Sequence, residues 1–499
     1  MPTIAPLPAS RLHATLDPAR IPWETSRDIP LPRNGRQNPF QPRAMQALDL
    51  ALQIKNQGYN VYLSGEADLG RSHMLLSYLG PQAKKAQTPD DLVYVHNFAD
   101  PDRPCLFALP TGMGKKLKQN LKELIEHIRD ELPRRFEAST YVKRRAKIVD
   151  NFQNARMGLL RKMNSVAVDK GFNLDMDESG GLTLYPLVEG KRLSEEEFDR
   201  LDTTLRLSLK SRGDNLVQAM SGYMRQLNKA EESFQDDERG LEREAMTQVL
   251  TTFFNPIEQR MLKACPVKGL DAYFTALRED ILKNTDAFLQ RDGGPLGDPH
   301  GAPVEAVLYR YEVNLLVDNS GLDGAPIIVE DHPTAVNLLG CVERESEMGA
   351  LVTDFTLIRA GSIHKANGGF LVLHIEDLLQ HPNAWEGLLR ALRSNMARIE
   401  DSGEGPDTPI RTLGINRSRL PLNLKVVLIG DEELYEGLLV NDDRFSKLFR
   451  IKAHMADTTE RNAANVRAYL GHIATIIKET ELPCFDRTAL AWLIDLGSH

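Results

Sequence analysis

Apolar and polar residues alternate in recognisable patterns between residues 42 and 110. A segment with apolar residues at helical spacing, RAMQALDLALQIKNQG, is followed by the short β-rich run YNVYLSG, a glycine turn and the helical segment HMLLSYLG. A second buried-strand candidate, DLVYVHNF, comes next. Strand, loop, helix and strand in this order are typical of α/β folds, so the pattern predicts the start of a parallel sheet.

Residues 115–290 have a helical pattern instead. One face of the first segment carries apolar residues at every third or fourth position, namely Leu117, Leu121, Leu124, Ile128 and Leu132. This spacing predicts long amphipathic helices. Between them, FNLDMDESGGLTLYPLV alternates around a Ser-Gly-Gly turn and predicts a β-hairpin. We interpret the apolar faces as mutual packing, and a surface that holds unfolded chains or neighbouring subunits is the alternative.

Strand patterns return after the glycine- and proline-rich segment 291–303. Four apolar runs predict strands: YEVNLLVD, PIIVED, GGFLVLHIED and LKVVLIGD. The last two are nearly continuous, as in strands that are covered on both faces. From about Thr458 the pattern is helical and predicts a small α-helical domain that stops close to the last residue. We therefore expect a longer parent protein.

The patterns predict six segments along the chain. They are an extended N-terminal arm (1–40), an α/β domain in two parts (41–114 and 304–457), an inserted helical domain with a hairpin tip (115–290), a linker (291–303) and a truncated helical domain (458–499). The proline-rich arm is either extended or a disordered tail, and Trp23 is the residue that could dock it.

Composition narrows the classes of partner. The chain has 499 residues and a formal net charge of −9, which argues against nucleic acid as the main partner because phosphate neutralisation needs a basic face. Four scattered cysteines form no CxxC pair and suit a reducing cytoplasm. The sequence contains neither an apolar run long enough to span a membrane nor a signal-peptide pattern at its start. We expect a cytoplasmic protein without a membrane partner.

The glycine turn LSGEADLGRSHML nearly matches a phosphate-binding P-loop. Gly65, Gly70, Arg71 and Ser72 have the P-loop spacing between a predicted strand and a predicted helix. In a P-loop, backbone N–H groups and the helix N-terminus surround the phosphates, a lysine reaches them and a hydroxyl holds Mg²⁺. Arg71 keeps the positive charge on a larger planar group, and Asp68 adds a negative charge. Binding of ATP or ADP with Mg²⁺, and a loop that is only a relic of the fold, are the two alternatives.

An ATPase of this kind also needs acidic residues at a strand end to position Mg²⁺ and water. The candidate strand, Phe370 to Leu373, is followed by His374 and Ile375, whereas Glu376 and Asp377 come three and four residues past Leu373. They reach the metal only if the register shifts. Two altered elements predict weak or absent hydrolysis.

Several segments together resemble the Lon-like protease family, in particular its branch with a long helical insertion in the AAA+ module. They are GYNVYLSGEADLGRSHML, DLVYVHNFADPDRP, YEVNLLVDNSGLDGAPIIVEDHPTAVNLLG, GALVTDFTLIRAGSIHKANGGFLVL and DDRFSKLFRIKA. The resemblance runs from about residue 40 to the end. It implies an α/β fold: an AAA+-type parallel-sheet P-loop domain with a long, coiled-coil-like helical insertion carrying a small β-hairpin, plus a small C-terminal α-helical domain.

The resemblance also implies function. Family members form homo-oligomeric rings, usually hexameric, and cleave peptide bonds with a Ser-Lys dyad in a C-terminal protease domain. No segment of this chain matches that domain, so we assign no catalytic peptidase residue here. Gly65, Gly70, Arg71 and Ser72 fall on the phosphate loop of the family, and His374 and Ile375 fall on its acidic pair, as degenerate Walker B positions.

Five further residues gain a role through the resemblance. Asp431 follows a strand near the polar sensor of the γ-phosphate. Arg444 and Arg450 lie where an arginine reaches the nucleotide of the neighbouring subunit, or they are surface charges. Met348 and Phe355 belong to a segment that should approach the ring axis and contact substrate, with core packing as the alternative for Phe355.

Three functions follow from these observations. The preferred one is a Lon-like module with a compromised ATPase that recognises, translocates or gates unfolded or damaged proteins. The second is an active ATP-dependent unfoldase of a Lon-type protease. The third is a non-enzymatic holdase or assembly platform.

Overall fold

The computed structural model describes residues 15–31, 40–54, 56–66, 69–176, 182–188, 191–192, 198, 202–288, 308–347, 350–399 and 419–498. The chain divides into two compact units, Met1–Gln119 with Glu312–His499, and Asn120–Tyr311. The predicted linker, residues 291–303, lies outside the described residues. The predicted domain boundaries therefore stay predictions.

The described strands are listed here in chain order: β1 (Val61–Ser64), β2 (Asp91–Val95), β3 (Cys105–Leu109), β4 (Phe172–Met176), β5 (Leu182–Val188), β6 (Lys191–Arg192), β7 (Val313–Val317), β8 (Ile327–Glu330), β9 (Cys341–Val342), β10 (Glu345–Glu347), β11 (Ala350–Val352), β12 (Ile358–Arg359), β13 (Phe370–His374), β14 (Met396–Ala397), β15 (Leu420–Pro421), β16 (Lys425–Gly430) and β17 (Ile451–His454).

The described α-helices are α1 (Pro42–Gln53), α2 (Arg71–Ala83), α3 (Met113–Glu137), α4 (Ser139–Asp169), α5 (Thr203–Ala264), α6 (Leu270–Lys283), α7 (Ala335–Leu339), α8 (Ser362–Lys365), α9 (Ile375–Leu379), α10 (Pro382–Ser394), α11 (Glu432–Asn441), α12 (Phe445–Leu448), α13 (Ala463–Glu479) and α14 (Arg487–Leu496). Short 3₁₀ helices cover Pro18–Arg20, Thr285–Phe288, Tyr309–Tyr311 and Phe355–Leu357.

A five-stranded parallel sheet is the centre of the first unit. Its order is β17–β1–β16–β13–β8. The two nearly continuous apolar runs of the sequence are β13 and β16, which lie side by side inside the sheet and are buried along most of their length. The prediction of an α/β fold with a parallel sheet is confirmed at this level. In register, Ser64 lies opposite both Gly430 and His454, so the carboxyl ends of three strands meet at one edge.

A separate antiparallel sheet corrects one expectation. The strand β2 does not join the parallel sheet as its position after the glycine loop suggested. It pairs antiparallel with β3 and β7 instead. A buried polar group fixes the corner of this sheet, because the Asp91 carboxylate accepts hydrogen bonds from the backbone N–H groups of Gly114 (3.0 Å) and Asn319 (2.9 Å). An apolar run predicts a buried strand but not its neighbour.

The second unit contains long helices and a small sheet. The predicted apolar face of α3 is buried, with Leu121, Leu124, Ile128 and Leu132 at most 1% exposed. Helix α4 contacts α5, and the Phe152 and Phe234 rings stack between them at 4.6 Å. Strands β4, β5 and β6 form an antiparallel sheet, and the residues between β4 and β5 are outside the described part.

The N-terminal segment packs on the C-terminal helices α13 and α14. Ile21 and Ile29 belong to one hydrophobic cluster with residues of both helices, and Trp23 packs against it. Backbone hydrogen bonds hold the segment in place, including Ser26 N–H to the Phe485 carbonyl at 2.8 Å. Residues 15–31 are therefore part of the core of this helical region, and the rest of the predicted arm up to residue 39 lies outside the described residues.

Candidate functional site

The loop between β1 and α2 has the backbone geometry of a turn that ends at a helix N-terminus. Gly70 is the N-cap of α2 and has a left-handed conformation, with φ +65°, which glycine adopts without strain. At Gly65, a Cβ atom would lie 2.9 Å from the Cβ of Met455. At both positions of the predicted loop, local sterics therefore favour glycine over other residues. Asp68 lies outside the described residues.

The side chain of Arg71 is paired inside the chain. Its Nη1 donates to the Gly65 carbonyl at 2.9 Å, and its Nη2 lies 3.9 Å from Oε1 of Glu376. The Arg71 side chain is 10% exposed, whereas that of Glu376 is 41% exposed. The guanidinium therefore joins the loop to the helix that follows β13. The planar fork of the guanidinium presents its donors in a fixed geometry, which an ammonium group does not reproduce.

Ser72 is also paired, with the last residue of β13. Its Oγ lies 3.2 Å from Nε2 of His374. The next residue, Ile375, is completely buried. These are the two positions where the acidic pair was expected, and they offer an imidazole and a hydrocarbon. Mg²⁺ prefers oxygen ligands, so this donor set does not fit it.

The phosphate part of a nucleotide fits the loop better than the metal does. The N-terminus of α2 presents backbone N–H groups and the positive end of the helix dipole, which together favour anions. Glu376 and Asp377 lie in the first turn of α9, two and three residues after the end of β13. The structure thus brings Gly65, Arg71 and Glu376 together at one point.

The carboxylate and the carbonyl of Asp431 both accept hydrogen bonds from groups of the same chain. Its carboxylate caps α11 by accepting from the Leu434 N–H at 2.7 Å, and its carbonyl accepts from the Tyr62 hydroxyl at 2.8 Å. Burial raises the pKa of Tyr62, and the negative charges of Asp431 and Glu376 raise it further. Sequence reasoning did not single out Tyr62, and its only signal was a place in the buried strand before the loop.

A second cluster missed by the sequence lies at the same edge of the sheet. Oγ of Ser64 lies 3.0 Å from Nδ1 of His454, and Oε2 of Glu432 lies 3.3 Å from the same nitrogen. A hydrogen bond from Lys452 holds the pKa of Glu432 below its usual range. A serine nucleophile and its orienting acid contact opposite ring nitrogens, so this cluster is not a catalytic triad. The only sequence signal was that Ser64 and His454 end the strands β1 and β17, whereas Glu432 begins α11.

Family models and relatives agree on the class of protein. Residues 323–456 match the model "LonB-like, AAA domain", and residues 91–124 match the model "Lon-like LonC helical domain". The "Putative Lon protease homolog" of Escherichia coli K12 is 26% identical over 158 residues, which are 31% of this chain and 24% of that protein. Over these segments the chain resembles the Lon-like family.

Two further comparisons complete this assignment. The Lon-like chain is 36% identical to the "Archaeal Lon protease" of Methanothermobacter thermautotrophicus over 103 residues, which are 20% of this chain and 15% of that protein. The matches thus span a quarter or less of the length of these two relatives. A crystal structure of NtrX from Brucella abortus covers 37% of each chain at 15% identity with a TM-score of 0.21, which is too low to indicate a shared fold.

The two predicted arginines of the Lon-like chain are engaged in its first unit. The Arg444 guanidinium makes two 2.7 Å hydrogen bonds to Glu386 and one of 2.8 Å to Asp442, and it lowers the pKa of both carboxylates. Arg450 lies 5.1 Å above the ring of Tyr59. Neither contact excludes a role toward a neighbouring subunit, but Arg444 would have to break two ion pairs to take it.

Of the two candidates for substrate contact, the structure describes Phe355 alone. Phe355 is 3% exposed, and its ring lies 5.9 Å from that of His96. Its expected contact with substrate is therefore corrected to core packing. Met348 lies outside the described residues. Within the described part of the chain, no group of three His, Cys, Asp or Glu side chains could hold a metal ion, and no helix is long and apolar enough to cross a membrane.

Proposed function

We propose that this chain is the AAA-type module of a Lon-family serine protease, and that it recognises and gates unfolded protein chains with little or no ATP hydrolysis. The observation that supports it is the pairing of Arg71 with Gly65 and Glu376. A side chain that should bind phosphate is held by groups of its own chain. A triphosphate would have to compete with an internal hydrogen bond and an ion pair.

The residues at the position expected for Mg²⁺ support the same proposal. Ser72 contacts His374, and Ile375 is buried in the core. Hydrolysis needs a group that positions Mg²⁺ and the attacking water, and neither side chain supplies a carboxylate. Both Walker elements are degenerate in this proposal, and the module works as a scaffold and gate.

The wider assembly is part of the proposal. Family membership supports a homo-oligomer, in our proposal a hexameric ring, that acts on unfolded or damaged proteins. In our proposal a Ser-Lys dyad in a protease domain cleaves the chains that this module admits, and we assign none of the residues described here to that dyad. The four cysteines form no disulfide in the described structure, which supports a reducing cytoplasmic location.

An ATP-driven unfoldase is the second candidate. It is supported by Glu376, whose side chain is 41% exposed and lies beside Arg71 in the first turn after β13. If its carboxylate positions the metal, the module turns over ATP. The retained glycines and the α2 N-terminus would then bind the phosphates.

Binding of unfolded protein tests the favoured function. The purified chain is mixed with a reduced, carboxymethylated protein that cannot fold and with its native form as the matched control. Light scattering and co-sedimentation measure association with and without Mg²⁺-ATP. We expect association with the unfolded form alone and no effect of nucleotide. Association that requires ATP would support the unfoldase, and no association in any condition would contradict both.

A further inference from the structure

A groove of about 360 Å³ lies in the first unit, away from the loop that carries Arg71. One wall is the small antiparallel sheet, where Ala108, Leu92 and Val317 form a row across β3, β2 and β7. The volume is at the lower end of ordinary ligand sites, about 300–1,000 Å³. Leu92 and Val317 are buried, and Ala108 is exposed at the rim.

The opposite wall consists of two loops that lead into the parallel sheet. Asn367 and Gly368 precede β13, and Asn423 precedes β16. The loops are tied together, since the Asn423 N–H donates to Oδ1 of Asn367 at 2.7 Å. The groove therefore lies at the amino ends of these strands, whereas Ser64, His374 and Asp431 mark the carboxyl ends. It is a different site from the nucleotide-type loop.

A buried histidine lines this groove. His364 is 3% exposed, and its Nδ1 makes no hydrogen bond in the described structure. Burial lowers the pKa of His364 to about 4, so the ring is neutral at pH 7. A buried polar atom without a partner is rare in native proteins, and a bound water, ion or ligand is a common reason for it.

The lining chemistry narrows the ligand. Seven of the thirteen lining residues are polar: Gln87, Thr88, Asp90, Asn319, His364, Asn367 and Asn423. None of the described lining residues is a lysine or arginine, and Asp90 supplies a negative charge. Anionic ligands such as nucleotides are therefore disfavoured. Amide side chains over an apolar floor match the alternating N–H and C=O groups of a peptide and the hydrocarbon part of its side chains.

We propose that this groove binds a short extended segment of polypeptide that is uncharged or positively charged. The proposal rests on the proposed function, because it names a site at which the module would hold its unfolded substrate. Main-chain groups of the segment pair with the amide side chains that line the groove. A basic side chain of the segment lies toward Asp90.

Three capped tripeptides test the site: Ac-Ala-Lys-Ala-NH₂, Ac-Ala-Gln-Ala-NH₂ and Ac-Ala-Glu-Ala-NH₂. Saturation-transfer difference NMR measures their weak binding to the purified chain. We expect the lysine and glutamine peptides to bind and the lysine peptide to bind about two- to fivefold more tightly than the glutamate peptide, as for an exposed charge pair. No binding by any peptide, or preference for the glutamate peptide, would overturn the proposal.

Matched variants locate the binding. Ala108→Trp fills the groove from an exposed position and is expected to weaken binding about tenfold or more. Ala99→Trp, at an exposed position outside the groove, should leave it unchanged. Asp90→Asn should remove the preference for lysine, whereas Asp102→Asn should keep it. Equal binding by wild type and Ala108→Trp would overturn the groove as the site.

The two proposals fail separately. If the tripeptides bind in the groove but the unfolded protein does not associate, the groove stands and the proposed function falls. If the unfolded protein associates equally with wild type and Ala108→Trp while no tripeptide binds, the proposed function stands and the groove falls.

Discussion

Arg71 stands where a P-loop has its lysine, and its contacts differ from those of a lysine in kind. The planar guanidinium reaches the Gly65 carbonyl at 2.9 Å and approaches Glu376 at 3.9 Å. An ammonium group is a compact point charge with three rotatable donors, whereas the guanidinium presents its donors in a rigid planar fork. The side chain therefore changes how the loop is closed as well as how it is charged.

Replacing this arginine alone should not create an ATPase. In Arg71→Lys the loop regains its phosphate-binding charge, but His374 and Ile375 still supply no carboxylate for Mg²⁺. We expect phosphate release to stay at the level of the wild type in a colorimetric phosphate assay. The double variant Arg71→Lys with His374→Asp is the matched comparison. Strong turnover by the single variant would refute our interpretation of residues 374 and 375.

His364 should make the stability of the protein depend on pH. Its pKa is lowered from 6.5 to about 4 by burial, so between these values the unfolded chain binds a proton that the folded chain does not. Stability is then complete above pH 6.5 and falls as the pH falls, by about 2 kcal/mol between pH 7 and pH 5. Urea unfolding at the two pH values measures this loss.

A variant without the titrating ring isolates this contribution. Carboxylates elsewhere in the chain also change stability with pH, so His364→Gln is compared with the wild type at both values. The variant should lose about 2 kcal/mol less than the wild type over this range. Parallel losses in the two proteins would contradict the buried, neutral state of His364.

The sequence predicted positions at the site better than it predicted contacts. The place of Glu376 and Asp377 beyond the strand end follows from counting along an apolar run, and the structure has them there. The partners of Arg444 do not follow from the sequence, because Glu386 is 58 residues away and only the fold brings the two together. For Phe355 core packing was the stronger of two interpretations, and the side chain is 3% exposed in the structure.

At the scale of elements, hydrophobic continuity predicted strands but not their neighbours. β13 and β16 are continuous apolar runs, and both lie inside the parallel sheet. β2 has the same kind of pattern, yet it joins an antiparallel sheet, where the buried Asp91 carboxylate holds two backbone N–H groups. The Asp91 carboxylate bonds to Gly114 and Asn319, which are 23 and 228 residues away in sequence. A local sequence pattern therefore does not predict which sheet β2 joins.

The N-terminal segment should contribute to the stability of the C-terminal helices. Ile21 is 2% exposed and packs with Leu470 and Leu490 of α13 and α14. Truncation of a buried isoleucine to alanine removes contacts and leaves a cavity, so Ile21→Ala should cost about 2–5 kcal/mol. Urea unfolding followed by tryptophan fluorescence measures it, since Trp23 and Trp492 lie in this region.

An exposed aliphatic residue provides the control for this change. Val440 is 82% exposed, so Val440→Ala should change stability by less than about 0.5 kcal/mol. If Ile21→Ala were as mild as Val440→Ala, the segment would not be part of the helical core, and it would act as the free arm that composition alone suggested.

At the scale of the whole molecule, two segments of the chain match models of the Lon-like family. Its AAA match covers residues 323–456, and its two relatives are matched over a quarter or less of their length. The chain has the parallel sheet, the two loop glycines and the helix N-terminus that a nucleotide site uses. In our proposal Arg71 and Ser72, which would bind phosphate and metal, are instead paired with groups of their own chain. A scaffold that retains the fold without the turnover is the central claim.

ATP turnover by the purified wild type tests this claim most directly. Phosphate release is measured with ATP in the presence and absence of Mg²⁺, beside Glu376→Gln, which removes the exposed carboxylate that lies 3.9 Å from the Arg71 guanidinium. We predict no Mg²⁺-dependent release above background from either protein. Sustained Mg²⁺-dependent release that Glu376→Gln abolishes would contradict the claim and identify an ATP-driven unfoldase.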